Sequence, residues 1–223
     1  FGKAVSISSD WIAIGANRDD DNGINSGSVY IYRYDELNIL EEHKIIPVDG
    51  DDGDYFGKAL SLYEDWAVIS SLYDDVNGEK SGSVYVYVYN EDQWEFHSKL
   101  VPPDGAPFDR FGYAVDIYNN RIIVSSVYDD DMGEDSGSVY IYKLNNNIWN
   151  LESKLNSSSQ QAGDFFGVSV SIYENKAVIG SVYSTHLDIT TGSASVFVFN
   201  DSWNETQNIY PENGEDYDFF GND

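Results

Sequence analysis

The chain has 223 residues, 41% of them hydrophobic, which is enough apolar side chain to bury the core of one or two compact domains. Asp and Glu number 39 against 12 Lys and Arg, a formal net charge of −27, and a field of this sign repels the phosphate backbone of nucleic acids and anionic lipid headgroups. The chain has no Cys, which excludes a disulfide framework, a thiolate metal site and a cysteine nucleophile.

Two short motifs return at a constant step, which predicts an internal repeat. Phe-Gly occurs with spacings of 55, 55, 55 and 54 residues, at Phe1, Phe56, Phe111, Phe166 and Phe220. Ser-Gly-Ser or Thr-Gly-Ser keeps the same step, at Ser26, Ser81, Ser136 and Thr191. The step divides the chain into repeats one to four, residues 1–55, 56–110, 111–165 and 166–219, and residues 220–223 begin a fifth. Because the chain starts and stops in phase with its repeat, we expect it to be a piece of a longer array.

Within each repeat the apolar residues alternate over short segments, which predicts strands and no helix. The four strands predicted for repeat two are residues 59–62, 66–70, 83–89 and 94–100. In the third of these, Val84 and Val86 alternate with Tyr85 and Tyr87, so both faces of the sheet are apolar. Identical four-stranded sheets cover both faces by stacking around an axis. The sequence therefore predicts an all-β fold, a β-propeller with one four-stranded antiparallel blade per repeat. A linear β-solenoid is the alternative, but ~55 residues exceed the length of its coils.

Side-chain size along the repeat fits a propeller. Strand two ends in small residues, as the crowded region near the axis requires, at Gly15-Ala16, Ser70-Ser71, Ser125-Ser126 and Gly180-Ser181. Strand four carries bulky residues suited to the wider rim, at Trp94, Trp149 and Trp203. We expect Phe56, Phe111 and Phe166 to be buried between neighbouring blades.

These motifs resemble the FG-GAP repeat family, the blade repeat of the integrin α-subunit head and of many extracellular proteins. The resemblance spans all four repeats and rests on Phe-Gly with its following strand (Phe1 to Ile7), on Ile-Gly-Ala at the end of strand two, and on Ser-Gly-Ser-Val-Tyr-Ile-Tyr in strand three. It implies a larger, seven-bladed ring. Two features depart from the family pattern. No repeat has the Pro of Gly-Ala-Pro, and the strand one to two connection, where integrin repeats hold calcium, is a tight turn such as Tyr63-Glu64-Asp65. The family's calcium site is therefore not carried over.

Asp residues cluster between strands two and three in repeats one to three, whereas repeat four has Ser184-Thr185-His186 there. Calcium takes oxygen ligands, and a turn with Asp at alternate positions followed by Gly is able to wrap one. The candidate calcium ligands are Asp19, Asp21 and Asn25 in repeat one, Asp74 and Asn77 in repeat two, and Asp129, Asp131 and Asp135 in repeat three. The alternative is that these Asp residues bond to nearby amides and keep the loops solvated.

A second acidic cluster lies between strand four and the next Phe-Gly, for example at residues 49–54. Because strand direction alternates, we expect both clusters to emerge at the same end of a blade. An Asp stands two residues before each later Phe-Gly, at Asp54, Asp109, Asp164 and Asp218. A role in capping backbone amides is the favoured interpretation of these four.

Candidates for catalysis are few. The three histidines, His43, His97 and His186, fall at different positions in their repeats and are expected to be surface residues. The recurrence of Ser-Gly-Ser marks a turn and not a unique nucleophile. We assign no catalytic residue.

The expected function is a non-enzymatic recognition or adhesion module, extracellular or at the cell surface, that binds a protein or glycan through acidic loops on one face, with calcium as a candidate cofactor. The remaining blades of the same chain are expected partners, and nucleic acid is not. No apolar run approaches the ~20 residues of a membrane helix, so no membrane insertion is expected in this segment. One alternative is a hydrolase or lyase that uses the same acidic face, and another is a spacer without a ligand.

Overall fold

The computed structural model describes residues 1–35 and 37–223. The chain forms two compact units, Phe1–Ile117 and Tyr118–Asp223. Within the described residues all regular secondary structure is β-strand. No described segment forms a helix with the length and apolarity needed to cross a membrane.

The strands follow the predicted repeat. Repeat one contains β1 (Val5–Ser8), β2 (Trp11–Ala16), β3 (Ser28–Tyr34) and β4 (Ile39–Ile45). Repeat two contains β5 (Phe56–Tyr63), β6 (Trp66–Ser71), β7 (Ser83–Asn90) and β8 (Gln93–Leu100). Repeat three contains β9 (Phe111–Tyr118), β10 (Arg121–Ser126), β11 (Ser138–Asn145) and β12 (Ile148–Leu155). Repeat four contains β13 (Phe166–Tyr173), β14 (Lys176–Ser181), β15 (Thr185–His186), β16 (Ile189–Thr190), β17 (Ser193–Phe199) and β18 (Trp203–Ile209).

Each repeat forms one four-stranded sheet in which the strands lie in chain order, β1 to β4, β5 to β8, β9 to β12, and β13, β14, β17, β18. Strands β15 and β16 make a separate hairpin between β14 and β17. The predicted all-β architecture of four antiparallel propeller blades is thus confirmed. The seven-bladed ring stays a prediction.

In repeats two to four, the first strand of the blade begins earlier than the alternation of apolar residues indicates. In repeat two, β5 starts at Phe56, which pairs with Ser71 before the register shifts and resumes at Leu60 paired with Ile69. This irregularity breaks the period of two, so the sequence pattern shows only the second half of the strand. Similarly, β13 starts at Phe166 and resumes at Val170.

The Phe of each internal Phe-Gly is a core residue. Phe56, Phe111 and Phe166 are each 0% exposed, which confirms their predicted burial. In the first compact unit, Phe56 belongs to a core cluster that includes Val29 of repeat one, and its ring lies 5.4 Å from that of Tyr85 in repeat two. The side chain therefore packs between two blades, as a residue that covers an apolar sheet face must.

The two recurring motifs bind each other across consecutive repeats. The amide N–H of the Phe donates to the carbonyl oxygen of the residue that opens Ser-Gly-Ser or Thr-Gly-Ser in the preceding repeat, Phe56 to Ser26, Phe111 to Ser81, Phe166 to Ser136 and Phe220 to Thr191, at 2.8 to 3.0 Å. The intervening Gly27 has φ +92°, and a Cβ there would overlap the carbonyl oxygen of Phe56. Glycine is needed at this position both for its backbone conformation and for the close approach.

The small residues at the end of strand two lie where the first strand of the next repeat approaches. Ala16, Ser70 and Ser71 are buried, and a Cβ on Gly15 would overlap the carbonyl oxygen of Gly57. The larger aromatic residues pack elsewhere, for example the ring of Trp94 at 5.2 Å from that of Trp11.

Candidate functional site

The loop between strands two and three lies against the link that leads to the next repeat. In repeat one, the side-chain amide of Asn22 donates to the carbonyl oxygens of Pro47 (3.1 Å) and Gly50 (2.8 Å). The backbone N–H of Ile24 donates to the Asp52 carboxylate at 2.7 Å. The two acidic segments of a repeat therefore form one continuous surface, here called the loop pair.

The loop pair recurs along the chain. In repeat two, Asn77 donates to the carbonyl oxygen of Pro102 at 3.1 Å, as Asn22 does to that of Pro47. In repeat three, the amide of Gly163 donates to the carbonyl oxygen of Glu134 at 2.8 Å. In each of these repeats, hydrogen bonds to backbone carbonyl groups therefore join the two loops.

The first predicted calcium ligand of each loop bonds to a lysine on strand four. The ammonium lies 3.1 Å from the carboxylate between Lys44 and Asp19, 2.6 Å between Lys99 and Asp74, and 3.0 Å between Lys154 and Asp129. Each lysine thus supplies the positive charge that its loop carboxylate needs.

Hydroxyl groups donate the remaining hydrogen bonds to these carboxylates. On Asp129, Oδ1 accepts from Ser138 Oγ (2.9 Å) and from the amide of Asp131 (3.1 Å). Its Oδ2 accepts from the Tyr140 hydroxyl and from Lys154, each at 3.0 Å. The carboxylate is only 4% exposed and has donors on both oxygens, as a buried charge requires. The same Asp, Lys, Tyr and Ser occur in the first two repeats, and each set is called a lysine cluster below: Asp19, Lys44, Tyr30 and Ser28, then Asp74, Lys99, Tyr85 and Ser83.

The titration shifts agree with an ionised pair. Burial tends to raise the pKa of Asp19, but the hydrogen bonds from Lys44 and Ser28 outweigh it and lower the pKa. The pKa of Lys44 is raised, first by its bond to Asp21. Burial and nearby carboxylates raise the pKa of Tyr85, so its hydroxyl is a neutral donor at physiological pH.

Repeat four lacks the Asp, the Tyr and the Lys of the lysine cluster. Ser184 stands where the other repeats have Asp, and it donates to Ser193 at 2.6 Å. Ser195 and Asn208 face each other in the register that Tyr140 and Lys154 occupy in repeat three, and they hydrogen-bond at 2.6 Å. Because the acid, the tyrosine and the base are all replaced together, these positions act as one interacting set.

The other predicted ligands fall into two groups. The carboxylates of Asp21 and Asp131 contact the same lysines as Asp19 and Asp129. Asn25 and Asp135 have left-handed backbones, with φ of 55° and 52°, and donate their amides to the carboxylates of Asp20 and Asp130. The side-chain amide of Asn77 is bonded to the carbonyl oxygen of Pro102. Asn25, Asp135 and Asn77 therefore shape the loop through these hydrogen bonds.

The predicted ligand sets do not fit a calcium ion as the side chains stand. Across residues 1–35 and 37–223, no three Asp, Glu, His or Cys side chains are disposed to hold a metal. In repeats one and three the lysine ammonium contacts two of the predicted ligands at once, Asp19 with Asp21 and Asp129 with Asp131. Calcium would have to displace this ammonium, so calcium binding stays a prediction.

The lysines were missed at the sequence level, although a signal for them exists. Lys44, Lys99 and Lys154 recur at the 55-residue step, and the lysine is absent at the corresponding position of repeat four, as is the acid. Each lies 25 residues from its Asp, on another strand, so a search confined to the loop does not find it.

The Asp before each later Phe-Gly has the predicted capping role. Its carboxylate accepts from the amide three residues earlier, at 2.7 to 2.8 Å, in Asp54, Asp109, Asp164 and Asp218. Burial raises the pKa of Asp54 to about 6, and burial also raises the pKa of Asp164.

The histidines pack on aromatic rings. His97 lies 5.0 Å from Trp66, and His186 stacks on Tyr210 at 4.1 Å. His43 contacts Trp11 and makes a 3.2 Å bond to Glu41. These contacts give each histidine a packing role, although His43 and His97 are partly buried and not fully on the surface as expected.

Comparison with known proteins identifies the repeat. The model of the FG-GAP repeat family matches residues 1–32, 39–87, 94–142 and 149–199, which is most of the chain. This chain belongs to the FG-GAP repeat family. In this FG-GAP protein, the recurring Phe-Gly and Ser-Gly-Ser or Thr-Gly-Ser motifs hydrogen-bond to each other across consecutive repeats.

Among solved structures, the FG-GAP chain is similar to Saccharomyces cerevisiae Sqt1, a WD40 propeller, with a TM-score of 0.54 and 13% identity. The match covers 93% of this chain and 47% of that chain, so the FG-GAP chain spans about half the length of this structural relative. A likeness at this identity shows the fold alone. No curated protein matches the sequence.

Proposed function

We propose that this FG-GAP chain is a non-catalytic recognition module that binds a protein or glycan through the loop pairs, outside the cell or at its surface. The observation that carries the proposal is a set of exposed carboxylates held in one conformation. Asp20, Asp75 and Asp130 are exposed, and each accepts the amide N–H five residues ahead, at 2.7 to 2.8 Å. Groups fixed before binding lose little conformational freedom when a ligand arrives.

The chemistry of these carboxylates defines the kind of ligand. An ionised carboxylate accepts strong hydrogen bonds from the ammonium or guanidinium groups of a protein, and it also accepts from the hydroxyl groups of a glycan. In each lysine cluster the lysine neutralises the first Asp of the loop. The exposed Asp that follows it in the sequence is therefore the one left for a partner. Recognition through surface charge also favours rapid, salt-dependent association.

A catalytic use of the same surface has less support. A general acid needs a carboxyl group with a raised pKa in contact with its substrate. Asp54 has a pKa raised to about 6, but it is 6% exposed and accepts the amide N–H of Asp51. The extracellular location rests on where proteins with similar repeats occur.

The test compares charge removal at the two ends of the blades. The triple variant Asp20→Asn, Asp75→Asn, Asp130→Asn keeps the oxygen that accepts the amide but removes three charges. The control variant Asp10→Asn, Asp65→Asn, Glu174→Gln removes three exposed charges from the turns between strands one and two, at the opposite end of each sheet. Binding is measured on a glycan array and on an array of extracellular proteins.

We expect at least one array ligand whose affinity falls about tenfold or more in the loop variant and changes less than about twofold in the control. Equal losses in the two variants would assign the binding to net charge and contradict the proposal. Binding that is unaffected by either variant would place the binding surface elsewhere.

Calcium binding at the loops is a separate part of the proposal. If it binds, the ammonium of Lys154 must leave Asp129 and Asp131, and calcium should raise Tm in 0.15 M salt more than magnesium does. The double variant Asp129→Asn, Asp131→Asn should reduce that shift, while Ser184→Ala in repeat four should not. Equal shifts with calcium and magnesium, or an undiminished shift in the double variant, would remove calcium from the proposal.

A further inference from the structure

A cavity of about 310 Å³ lies in the first compact unit, near the end of β2 and the start of β5. Three cationic side chains line it, Lys3, Arg18 and Lys58, together with the rings of Tyr55 and Tyr73. None of the described residues that line it is acidic. In a chain with 39 acidic and 12 basic residues, a cavity of this composition is a local reversal of charge.

In the part of the chain that the structure describes, the three cations have no carboxylate partner. Among the described residues, Lys44, Lys99 and Lys154 are paired with Asp, but Lys3, Arg18 and Lys58 form no ion pair. Arg18 instead lies over the Tyr55 ring, 6.0 Å from its centroid. The cationic groups are therefore available to a ligand.

The cations also repel one another. Burial, and then the charges of Lys3 and Arg18, lower the pKa of Lys58 to about 8. Holding like charges together costs folding free energy, and an anion between them would relieve that cost. This is the arrangement found where a protein binds an anionic group.

The corresponding positions of other repeats show that packing does not need these charges. Arg18 corresponds to Tyr73, Tyr128 and Tyr183, and Lys58 corresponds to Tyr113 and Val168. In the second compact unit, where the position of Arg18 is Tyr128, its ring packs against Phe165 at 5.3 Å. Other repeats have aromatic or aliphatic residues at these positions, so the cations of repeats one and two call for another explanation.

We propose that this cavity binds a phosphate or sulfate group. A tetrahedral oxyanion with two charges suits one guanidinium, which donates two parallel hydrogen bonds, and two ammonium groups, which act as point charges. The rings of Tyr55 and Tyr73 meet edge to face at 5.1 Å and form an apolar wall for whatever carries the anion. The exposed carboxylates Asp20, Asp75 and Asp130 do not line this cavity, so the proposal goes beyond the proposed function and does not rest on it.

The test uses inorganic sulfate and inorganic phosphate, measured by calorimetry and by Tm with sodium chloride at matched ionic strength. Arg18→Tyr and Lys58→Val place residues from other repeats at these positions, so both variants are expected to fold. Lys176→Val is the control because it removes an exposed positive charge from β14. Acetate tests whether any anion suffices.

We expect saturable binding of sulfate or phosphate that weakens about tenfold or more in Arg18→Tyr and in Lys58→Val and is unchanged in Lys176→Val. Without ligand, both pocket variants should have a Tm at least equal to that of the parent, because they remove repulsion. Binding equal in parent and pocket variants, a response matched by sodium chloride, or equally tight binding of acetate would overturn the proposal. Glycerol phosphate that binds more tightly than inorganic phosphate would show that the site takes an ester, and the reverse order would show that it takes the free ion; both support the site.

Discussion

Replacing Lys154 with Asn should lower the free energy of unfolding by about 2 to 3 kcal/mol. The change removes a charge-assisted hydrogen bond to Asp129, which contributes roughly 1.5 to 3 kcal/mol. It also leaves a carboxylate that is 4% exposed without a counter-charge. Breaking a fully buried pair costs about 3 to 5 kcal/mol, and the 18% exposure of Lys154 places this pair below that range.

The structure also predicts how that loss is recovered. The double variant Asp129→Ser, Lys154→Asn places at these two positions the uncharged residues that repeat four has at Ser184 and Asn208, and it keeps Tyr140. Removing the acid as well as the base leaves no buried charge without a partner, because Asp131, which also contacts Lys154, has a side chain that is 55% exposed. The double variant should therefore lose less stability than the sum of Asp129→Ser and Lys154→Asn, with a coupling of about 2 kcal/mol.

Urea unfolding of the four proteins, followed by tryptophan fluorescence and circular dichroism, measures this cycle. Urea is uncharged, so it does not screen the pair as guanidinium chloride would. Losses that add to within about 0.5 kcal/mol would show that Asp129 and Lys154 do not interact, and would refute the account of the lysine cluster.

Three further predictions follow from burial and backbone geometry. Phe111→Ala should cost about 3 to 5 kcal/mol in urea unfolding, because the ring is 0% exposed, whereas Phe108→Ala, at a ring that is 48% exposed, should cost much less; equal losses would contradict the assigned core. The pKa of Asp54 is raised in the folded state, so its favourable contribution is present below the unfolded pKa of about 4 and is lost as pH rises through about 6. Stability measured from about pH 4 to about pH 7 should therefore fall more in the parent than in Asp54→Asn, and parallel profiles would argue against a raised pKa. Gly27→Ala should cost more than about 1 kcal/mol beyond Gly53→Ala in the same assay, because both have positive φ but only Gly27 lacks room for a Cβ; equal costs would mean that backbone strain alone acts.

The fold was predictable because its determinants are local and repeated. Alternation in residues 83–89 specifies a strand with two apolar faces, and a sheet of this kind needs a neighbouring sheet to cover each face. The bounds were less predictable where a strand is irregular. Residues 56–58 belong to β5, but the register shift between Phe56 and Leu60 hides them from a search for alternation.

The candidate site was predictable only in part because its contacts are distant in sequence. The capping role of Asp54 is visible locally, since the amide that it bonds lies three residues away. Lys154, the partner of Asp129, lies 25 residues away on β12. The loop sequence alone therefore resembles a metal-binding turn, whereas the cation that contacts it is the lysine ammonium group. The cavity at Lys3, Arg18 and Lys58 draws on three separate segments, and only folding brings them together.

Each lysine cluster lies within a single repeat, and this affects how the number of repeats can change during evolution. In repeat three, the Asp, Tyr and Lys all lie between Phe111 and Phe166, so a gene segment copied or deleted from one Phe-Gly to the next carries the whole charge-balanced set. Recombination at that boundary creates or removes a blade without producing an unmatched buried charge. A crossover between Asp129 and Lys154 of unlike repeats would instead join the acid of one type to the Asn of another, and the hybrid blade would carry the penalty assigned above to Lys154→Asn.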